Sequence, residues 1–290
     1  MEISLIGAAS DLGVSVDGSS KAPELLLDLF ENESSELISP AAPYVKSRDA
    51  GDKHKNEEPL NRLNADLYAR TLSLKERGIF TIIIGGDHSC AIPSALSSAE
   101  RFGNIGVIWI DAHTDFNTFR TTETGNIHGL PLACIAGYEC GELRSFHRGN
   151  TVDPRNVCVI GARSIDSGEK ENLKDAGVRV FTTEDLRKKD IRNIMDEAFS
   201  LSLDGTCAVH VSFDLDVIDP SDAPGVSVPE HDGITKEEAL LINSIVAERI
   251  SDICSYDLVE YNPLRDIESK TADVAQQLLR QIIPSAACRK

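Results

Sequence analysis

Seven short, nearly continuous apolar runs rich in β-branched residues constrain the fold more than any other feature of the chain: Ile3–Ala8, Phe80–Ile84, Ile105–Ile110, Val157–Ile160, Val178–Phe181, Ala208–Leu215 and Tyr256–Glu260. A strand that is apolar on both faces has to be covered on both faces, as in a parallel sheet held between two layers of helices. Segments with helical spacing lie between the runs. Pro59–Arg77 carries Leu60, Leu63, Leu67, Leu72 and Leu74, and Glu184–Leu201 is amphipathic throughout. Lys236–Ile250 follows Thr235, an N-cap residue with Glu238 three positions on, and a last helix is expected over Ile267–Ile283, ahead of Pro284. The alternation predicts an α/β fold: a three-layer αβα arrangement around a mostly parallel sheet. A chain of 290 residues can enclose one large core. The only linker-like stretch, Lys46–Glu58, is too short and too early to divide it, so residues 1–290 read as one domain.

The formal net charge of −18 argues against a nucleic-acid or anionic-membrane partner, either of which needs a basic face. It suits a cationic small molecule, although a solvated acidic surface is the commoner meaning of such a charge. No run of about eighteen apolar residues is present, so no transmembrane helix is expected. The seven cysteines are scattered and never spaced as Cys-x-x-Cys. That pattern points away from a disulfide framework and from a structural zinc module, and towards the cytoplasm. The first residues, Met1–Gly7, lack a basic segment followed by a long apolar one and read as a strand rather than a signal peptide.

Three of the expected strands end in His and Asp. The motifs are Ile84-Gly85-Gly86-Asp87-His88-Ser89, Trp109-Ile110-Asp111-Ala112-His113-Thr114-Asp115 and Ser212-Phe213-Asp214-Leu215-Asp216-Val217-Ile218-Asp219-Pro220. Ligands of an open parallel sheet sit beyond the carboxyl ends of its strands, so the metal site is expected there. Singly, each motif is an ordinary turn, solvated loop or capped strand end; three together are not. An ideal strand would spread Asp111, His113 and Asp115 over about 13 Å, so the chain must leave the strand at Asp111 and curl back for all three to serve one site. His88, His113, Asp111, Asp115, Asp214 and Asp216 offer two imidazoles and four carboxylates, a hard donor set that suits Mn²⁺ better than a thiolate zinc site. Four carboxylates balance two divalent ions better than one. Ions about 3.5–4 Å apart clamp a bridging water and lower its pKa towards neutrality.

At these motifs the chain resembles the ureohydrolase superfamily and, within it, the arginases, from about Ile82 to Pro263. The resemblance implies His88, Asp111, Asp115 and Asp214 around one manganese and Asp111, His113, Asp214 and Asp216 around the other. It implies that the stretch from Asp115 to Gly129 grips an α-carboxylate through Asn117, Thr122, Thr124 and Asn126, with Thr124 where the family usually has Ser. Asp166 and Glu169 would receive the α-amino group, His128 would shuttle protons, and Glu260 would pair with the guanidinium. The function implied is attack of a metal-bridging hydroxide on the guanidinium carbon of L-arginine, giving L-ornithine and urea, with Asp115 passing a proton to the leaving amine. A homotrimer or homohexamer is implied as well. One stretch departs from the family pattern. Where arginases carry Gly-Thr-Pro-Val-Val-Gly-Gly, this chain has Ser227-Val228-Pro229-Glu230-His231-Asp232-Gly233.

Rival readings differ in what they ask of the residues. Agmatinase, guanidinobutyrase or formimidoylglutamase activity would leave part of the Asn117, Thr122, Thr124, Asp166 and Glu169 set without a partner. A phosphoesterase would place more basic residues near the motifs than Arg120 and Arg163. A non-catalytic binding relative would have lost ligands, and all six are present. His210, four residues before Asp214, reads as a satisfied core histidine, Asp219 as a turn residue, and Cys90 and Trp109 as packing. His54, His147 and His231 read as solvated.

Overall fold

The computed structural model describes residues 1–30, 33–42, 44–49 and 51–289; within the linker-like stretch, Ala50 lies outside them. Eight strands form one sheet: β1 (Ile3–Ala8), β2 (Ser34–Ile38), β3 (Phe80–Gly85), β4 (Ile105–Ile110), β5 (Val157–Ala162), β6 (Arg179–Thr182), β7 (Ala208–Asp214) and β8 (Ile253–Val259). All pair in parallel, in the order β2-β1-β3-β8-β7-β4-β5-β6. The helices are α1 (Ala22–Leu27), α2 (Glu57–Glu76), α3 (Ala91–Phe102), α4 (Pro131–Ile135), α5 (Ser167–Ala176), α6 (Thr183–Lys188), α7 (Ile191–Ser202), α8 (Lys236–Glu248) and α9 (Lys270–Ala287).

The continuous apolar runs have the expected cause. Along β4, Ile108 and Ile110 pack into a core under α1 and α6–α9, while Val107 and Trp109 pack into another that includes α3, α4 and Leu173 of α5. β4 therefore buries both faces, as do β1, β3, β5, β7 and β8, whereas the edge strands β2 and β6 are partly exposed. The strand order sets the site. The four central strands, β3, β8, β7 and β4, are neighbours, and the motifs at His88, Glu260, Asp214 and Asp111 follow their carboxyl ends. Gly86 is required where β3 ends, because a Cβ there would come within 1.9 Å of the Ser10 carbonyl oxygen.

Thr235 caps α8 as expected, accepting from the Glu238 amide, while Glu238 accepts from the Thr235 amide. Two expectations need correction. The stretch read as one helix over Glu184–Leu201 is two, because the Asp190 side chain accepts from the Asn193 amide and starts a new helix. The last helix begins at Lys270 and runs through Pro284 to Ala287. Proline there removes one hydrogen bond in the final turn, but Ile282, Ile283 and Ala286 are buried, and their packing outweighs that loss.

Candidate metal centre

Beyond Ile110 the chain leaves β4 and turns back through Asp115, whose φ of 47° lies in the left-handed region. Asp111, His113 and Asp115 are thereby folded into one place, the curl the spacing demanded. Two clusters of donor atoms result, each with all its atoms within 4.8 Å of one another: His88, Asp111 and Asp214, and Asp111, His113 and Asp216. Asp111 belongs to both. Its Oδ2 lies 3.1 Å from His88 Nδ1 and its Oδ1 lies 3.5 Å from His113 Nδ1. His88 Nδ1 is also 3.2 Å from Asp115 Oδ2 and 3.0 Å from Asp214 Oδ2, and His113 Nδ1 is 3.0 Å from Asp216 Oδ2.

The residues fit a cation. His88 stacks on Trp109 with ring centroids 4.0 Å apart, and its Nε2 lies 2.8 Å from the Ser212 hydroxyl. With the proton at Nε2, Nδ1 presents a lone pair. That atom is buried among three carboxylates and makes no hydrogen bond of acceptable geometry. A lone pair surrounded by carboxylate oxygens is repulsive unless a proton or a metal ion lies between them. Burial lowers the His88 pKa, but Asp111, Asp115 and Asp214 raise it well above the usual imidazole range. Burial also raises Asp214 and Asp216 and, with Asp111 nearby, pushes Asp115 up to about 7. Carboxylates that resist ionisation together are a site for a positive charge.

The remaining lone pairs are fixed from behind. Trp109 Nε1 donates to Asp111 Oδ2 at 2.9 Å, the His113 amide to Asp111 Oδ1 at 2.7 Å, and the Asp216 amide to Asp214 Oδ1 at 2.8 Å. Such partners orient ligands and tune their basicity. Trp109 is packed in the core as expected and is also a donor to the site. Ser212 opens the third motif, but no role for it follows from the sequence alone. Its signal was parity, because it lies two residues before Asp214, as Trp109 lies two before Asp111.

A cavity of about 270 Å³ opens over these clusters, with His113, Asp115, Asp214 and Asp216 among its lining residues. Asn117, Thr122, Thr124 and Asn126 line it, as do Asp166, Glu169 and His128, so the six residues named for the α-carboxylate and the α-amino group all reach the cavity. Asn117 Nδ2 donates to Asp166 Oδ2 at 3.0 Å, and its Oδ1 accepts from the Thr121 hydroxyl at 2.9 Å. Glu169 is nearly enclosed, its two oxygens accepting from the Phe116 and Asp166 amides, which ties the loop after β4 to the start of α5. Val228 and Glu230 line the cavity as well, with Gly129 and Ser164. Glu230 Oε1 stands 3.6 Å from His113 Nε2, and that imidazole is the main cause that holds the Glu230 carboxyl below its ordinary range.

Glu260 follows β8 with φ 68°, is buried, and is not among the residues that line the cavity. Its Oε1 accepts from the His88 amide at 2.8 Å and lies 2.9 Å from His128 Nδ1, while its buried Oε2 has no partner. Burial lowers the His128 pKa, but Glu260 more than reverses this and holds it above the usual value.

His210 is a core histidine as expected, with Nδ1 2.7 Å from the Ser255 hydroxyl, but its Nε2, 3.1 Å from Asp257 Oδ2, makes no hydrogen bond of acceptable geometry and is not satisfied. Asp219 is a turn residue, accepting from the Ser221 and Gly233 amides. Cys90 is buried, and burial pushes its thiol pKa well up. His231 is exposed and the His54 ring stacks on Phe119. His147 departs from expectation: it is buried, with Nδ1 3.1 Å from the Tyr68 hydroxyl and Nε2 3.0 Å from the Asn150 carbonyl.

Comparison with known proteins agrees with this geometry. The arginase family model matches residues 1–284. The arginase of Bacillus caldovelox is 34% identical over 288 residues, 96% of either chain. A native structure of arginase from Bacillus caldovelox aligns with a TM-score of 0.87 and 32% identity, covering 97% of both chains. The arginase of Entamoeba histolytica, solved in complex with L-ornithine, gives 0.87 at 27% identity over 97% of this chain and 99% of that one. The fold, the donor clusters and these likenesses define the class, a metal-binding ureohydrolase. Within that class, the chain belongs to the arginase family. Among the described residues no helix is long and apolar enough to cross a membrane.

Proposed function

We propose that this chain cleaves the guanidinium group of L-arginine, releasing L-ornithine and urea, with two Mn²⁺ held by His88, Asp111, Asp115 and Asp214 on one side and by Asp111, His113, Asp214 and Asp216 on the other. The observation that carries the metal reading is the buried His88 Nδ1, set among three carboxylates without a hydrogen bond. The hard, oxygen-rich donor set favours Mn²⁺. When bound, such a pair lowers the pKa of a shared water and supplies hydroxide near neutral pH.

The chain's own residues then have separable tasks. Asn117, Thr122, Thr124 and Asn126 suit an α-carboxylate at the mouth, and Asp166 suits the α-amino group. Glu169 supports Asp166 and Phe116 from behind, since their backbone amides already hold both its oxygens. Orientation of a weakly electrophilic, delocalised guanidinium carbon is a large part of what such a site contributes. Glu260 offers its unpartnered Oε2 to the guanidinium and its Oε1 to His128. Asp115 passes a proton to the departing amine. His128, on the cavity wall, exchanges protons with solvent.

Residues 1–290 act as one domain in this reading. The seven free cysteines support a cytoplasmic location, and the family resemblance supports a homotrimer or homohexamer. The test is urea release by manganese-loaded protein from L-arginine, agmatine and 4-guanidinobutyrate measured side by side. Preference for arginine supports the carboxylate and amino contacts. Preference for a substrate that lacks either group overturns the specificity while sparing the metal reading. No release from any of the three overturns the enzymatic reading.

A further inference from the structure

We infer that Glu230 is a positioning residue for the metal centre, facing the outer nitrogen of His113 at ion-pair distance and so biasing the tautomer and orientation of the imidazole whose Nδ1 faces Asp111 and Asp216. The inference rests on the metal reading above. His113 Nδ1 points inward, 3.0 Å from Asp216 and 3.5 Å from Asp111, and Nε2 points outward, 3.6 Å from Glu230 Oε1. Among the described residues Glu230 is the one carboxylate within ion-pair reach of that nitrogen.

The placement is held by structure around it. Arg163 donates to the carbonyls of Glu230 and His231 and also to those of Asp216 and Val217. One guanidinium thus clamps the segment carrying Glu230 to the strand end carrying Asp216. The Gly233 amide donates to Asp219 Oδ2 at 3.2 Å, and Arg187 donates to the Asp232 carbonyl at 2.9 Å, which fix the far end of the same segment.

The chemistry follows from the histidine. A neutral imidazole that binds a metal through one nitrogen carries its proton on the other, and a carboxylate accepting that proton fixes the tautomer and raises the basicity of the ligating nitrogen. The two histidines are supported unequally. His88 has a serine hydroxyl behind it and His113 has a carboxylate. Glu230 stands where the family pattern given above carries valine.

The test uses metal-stripped full-length protein titrated with Mn²⁺, free Mn²⁺ being read by electron paramagnetic resonance, for the parent and for Glu230→Val, Glu230→Gln and Glu230→Asp. Thermal unfolding of the stripped proteins is measured alongside. Glu230→Val is expected to weaken one of the two equivalents roughly 10- to 100-fold and to leave the other within about threefold. Glu230→Asp should restore part of the loss, with unfolding of the stripped proteins unmoved. Two equivalents bound as tightly in Glu230→Val as in the parent overturn the inference. So does equal weakening of both equivalents, which is a general loss of charge rather than support of one histidine. A parent that takes up no Mn²⁺ overturns the metal reading beneath it and is told apart by the parent alone.

Discussion

Replacing Ser212 with alanine tests the centre without touching any ligand. Ser212 is fully buried, and its hydroxyl lies 2.8 Å from His88 Nε2. Without it, an Nε2–H proton points at nothing, and a buried donor left unpaired costs about 1–3 kcal/mol. The metal-free ring, kept protonated by the carboxylates around it, can relieve that cost by giving up the Nε2 proton and keeping the one at Nδ1, where Asp111, Asp115 and Asp214 stand 3.0–3.2 Å away to accept it. The loaded protein cannot, because the ion needs the Nδ1 lone pair. The penalty therefore falls on the loaded state. At 1.4 kcal/mol per tenfold, manganese affinity at this position should drop roughly 5- to 150-fold. Thermal unfolding without metal should shift by no more than about 2 °C, which in a chain of this size corresponds to about 1 kcal/mol or less. Titration of stripped protein with Mn²⁺ and melting curves with and without metal measure both. If Ser212→Ala lowers both melting curves equally and leaves affinity intact, Ser212 only packs and the tautomer argument is wrong.

Other consequences follow from the same geometry. His128→Asn should lower turnover on arginine roughly 10²- to 10⁴-fold with two equivalents of manganese still bound, since general acid–base groups contribute on that scale; unchanged turnover removes His128 from the mechanism. The His128 pKa is raised in the folded chain by Glu260. The protonated ring therefore adds stability that is complete below the unfolded value near 6.5 and is lost as pH rises through the folded value. Melting curves of stripped parent and His128→Asn should differ most at pH 6 and converge on going alkaline, and a gap that widens instead refutes this. Lys75 is fully buried, donates to the Ser94 carbonyl and the Ser97 hydroxyl, and is pushed down to about 8 by burial. Below pH 8 the fold carries the cost of that charge, about 3 kcal/mol at 1.36 kcal/mol per pKa unit, so parent stability relative to Lys75→Met should rise between pH 8 and 10. Equal denaturant midpoints for the two across that range would count against it.

Strands that bury both faces are legible because every residue along them is apolar, and six of the seven expected runs coincide with strands to within about two residues; the seventh, Tyr256–Glu260, catches only the end of β8, which starts at Ile253. The strand that left no trace, β2, sits at the sheet edge with mostly exposed side chains, Ser34-Ser35-Glu36-Leu37-Ile38, and so carries no apolar run. Helix α3 was hidden for the opposite reason. It is buried on nearly every side, and the space between α2 and the sheet admits only small residues along much of it, such as Ala91, Ser94, Ala95, Ser97, Ser98 and Ala99. Serine reads as polar in a pattern count, yet here Ser94 donates to Asp257 and Ser98 pairs with Ser255. Size mattered more than polarity.

The site divides along the same line between local and long-range information. His88, Asp111, His113, Asp115, Asp214 and Asp216 stand out because each follows an apolar run, and the chain shows where such runs end. Their meeting depends on β3, β8, β7 and β4 being neighbours, which no single motif records. The partners that complete the centre depend on that register too. Arg163 belongs to the loop after β5, yet it reaches the carbonyls of Asp216 and Glu230, which are 53 and 67 residues away. Asp115 is the instructive case between these extremes. Spacing alone showed that Asp111 and Asp115 cannot share an ion on a straight strand, so the conformation had to break. The break is the positive φ at Asp115 itself, a backbone state that costs an aspartate of order 1 kcal/mol and is held by the Leu132 and Ala133 amides, which both donate to its carbonyl. The start of α4 therefore contributes to the centre without supplying a ligand: it pins the turn that brings the last carboxylate in.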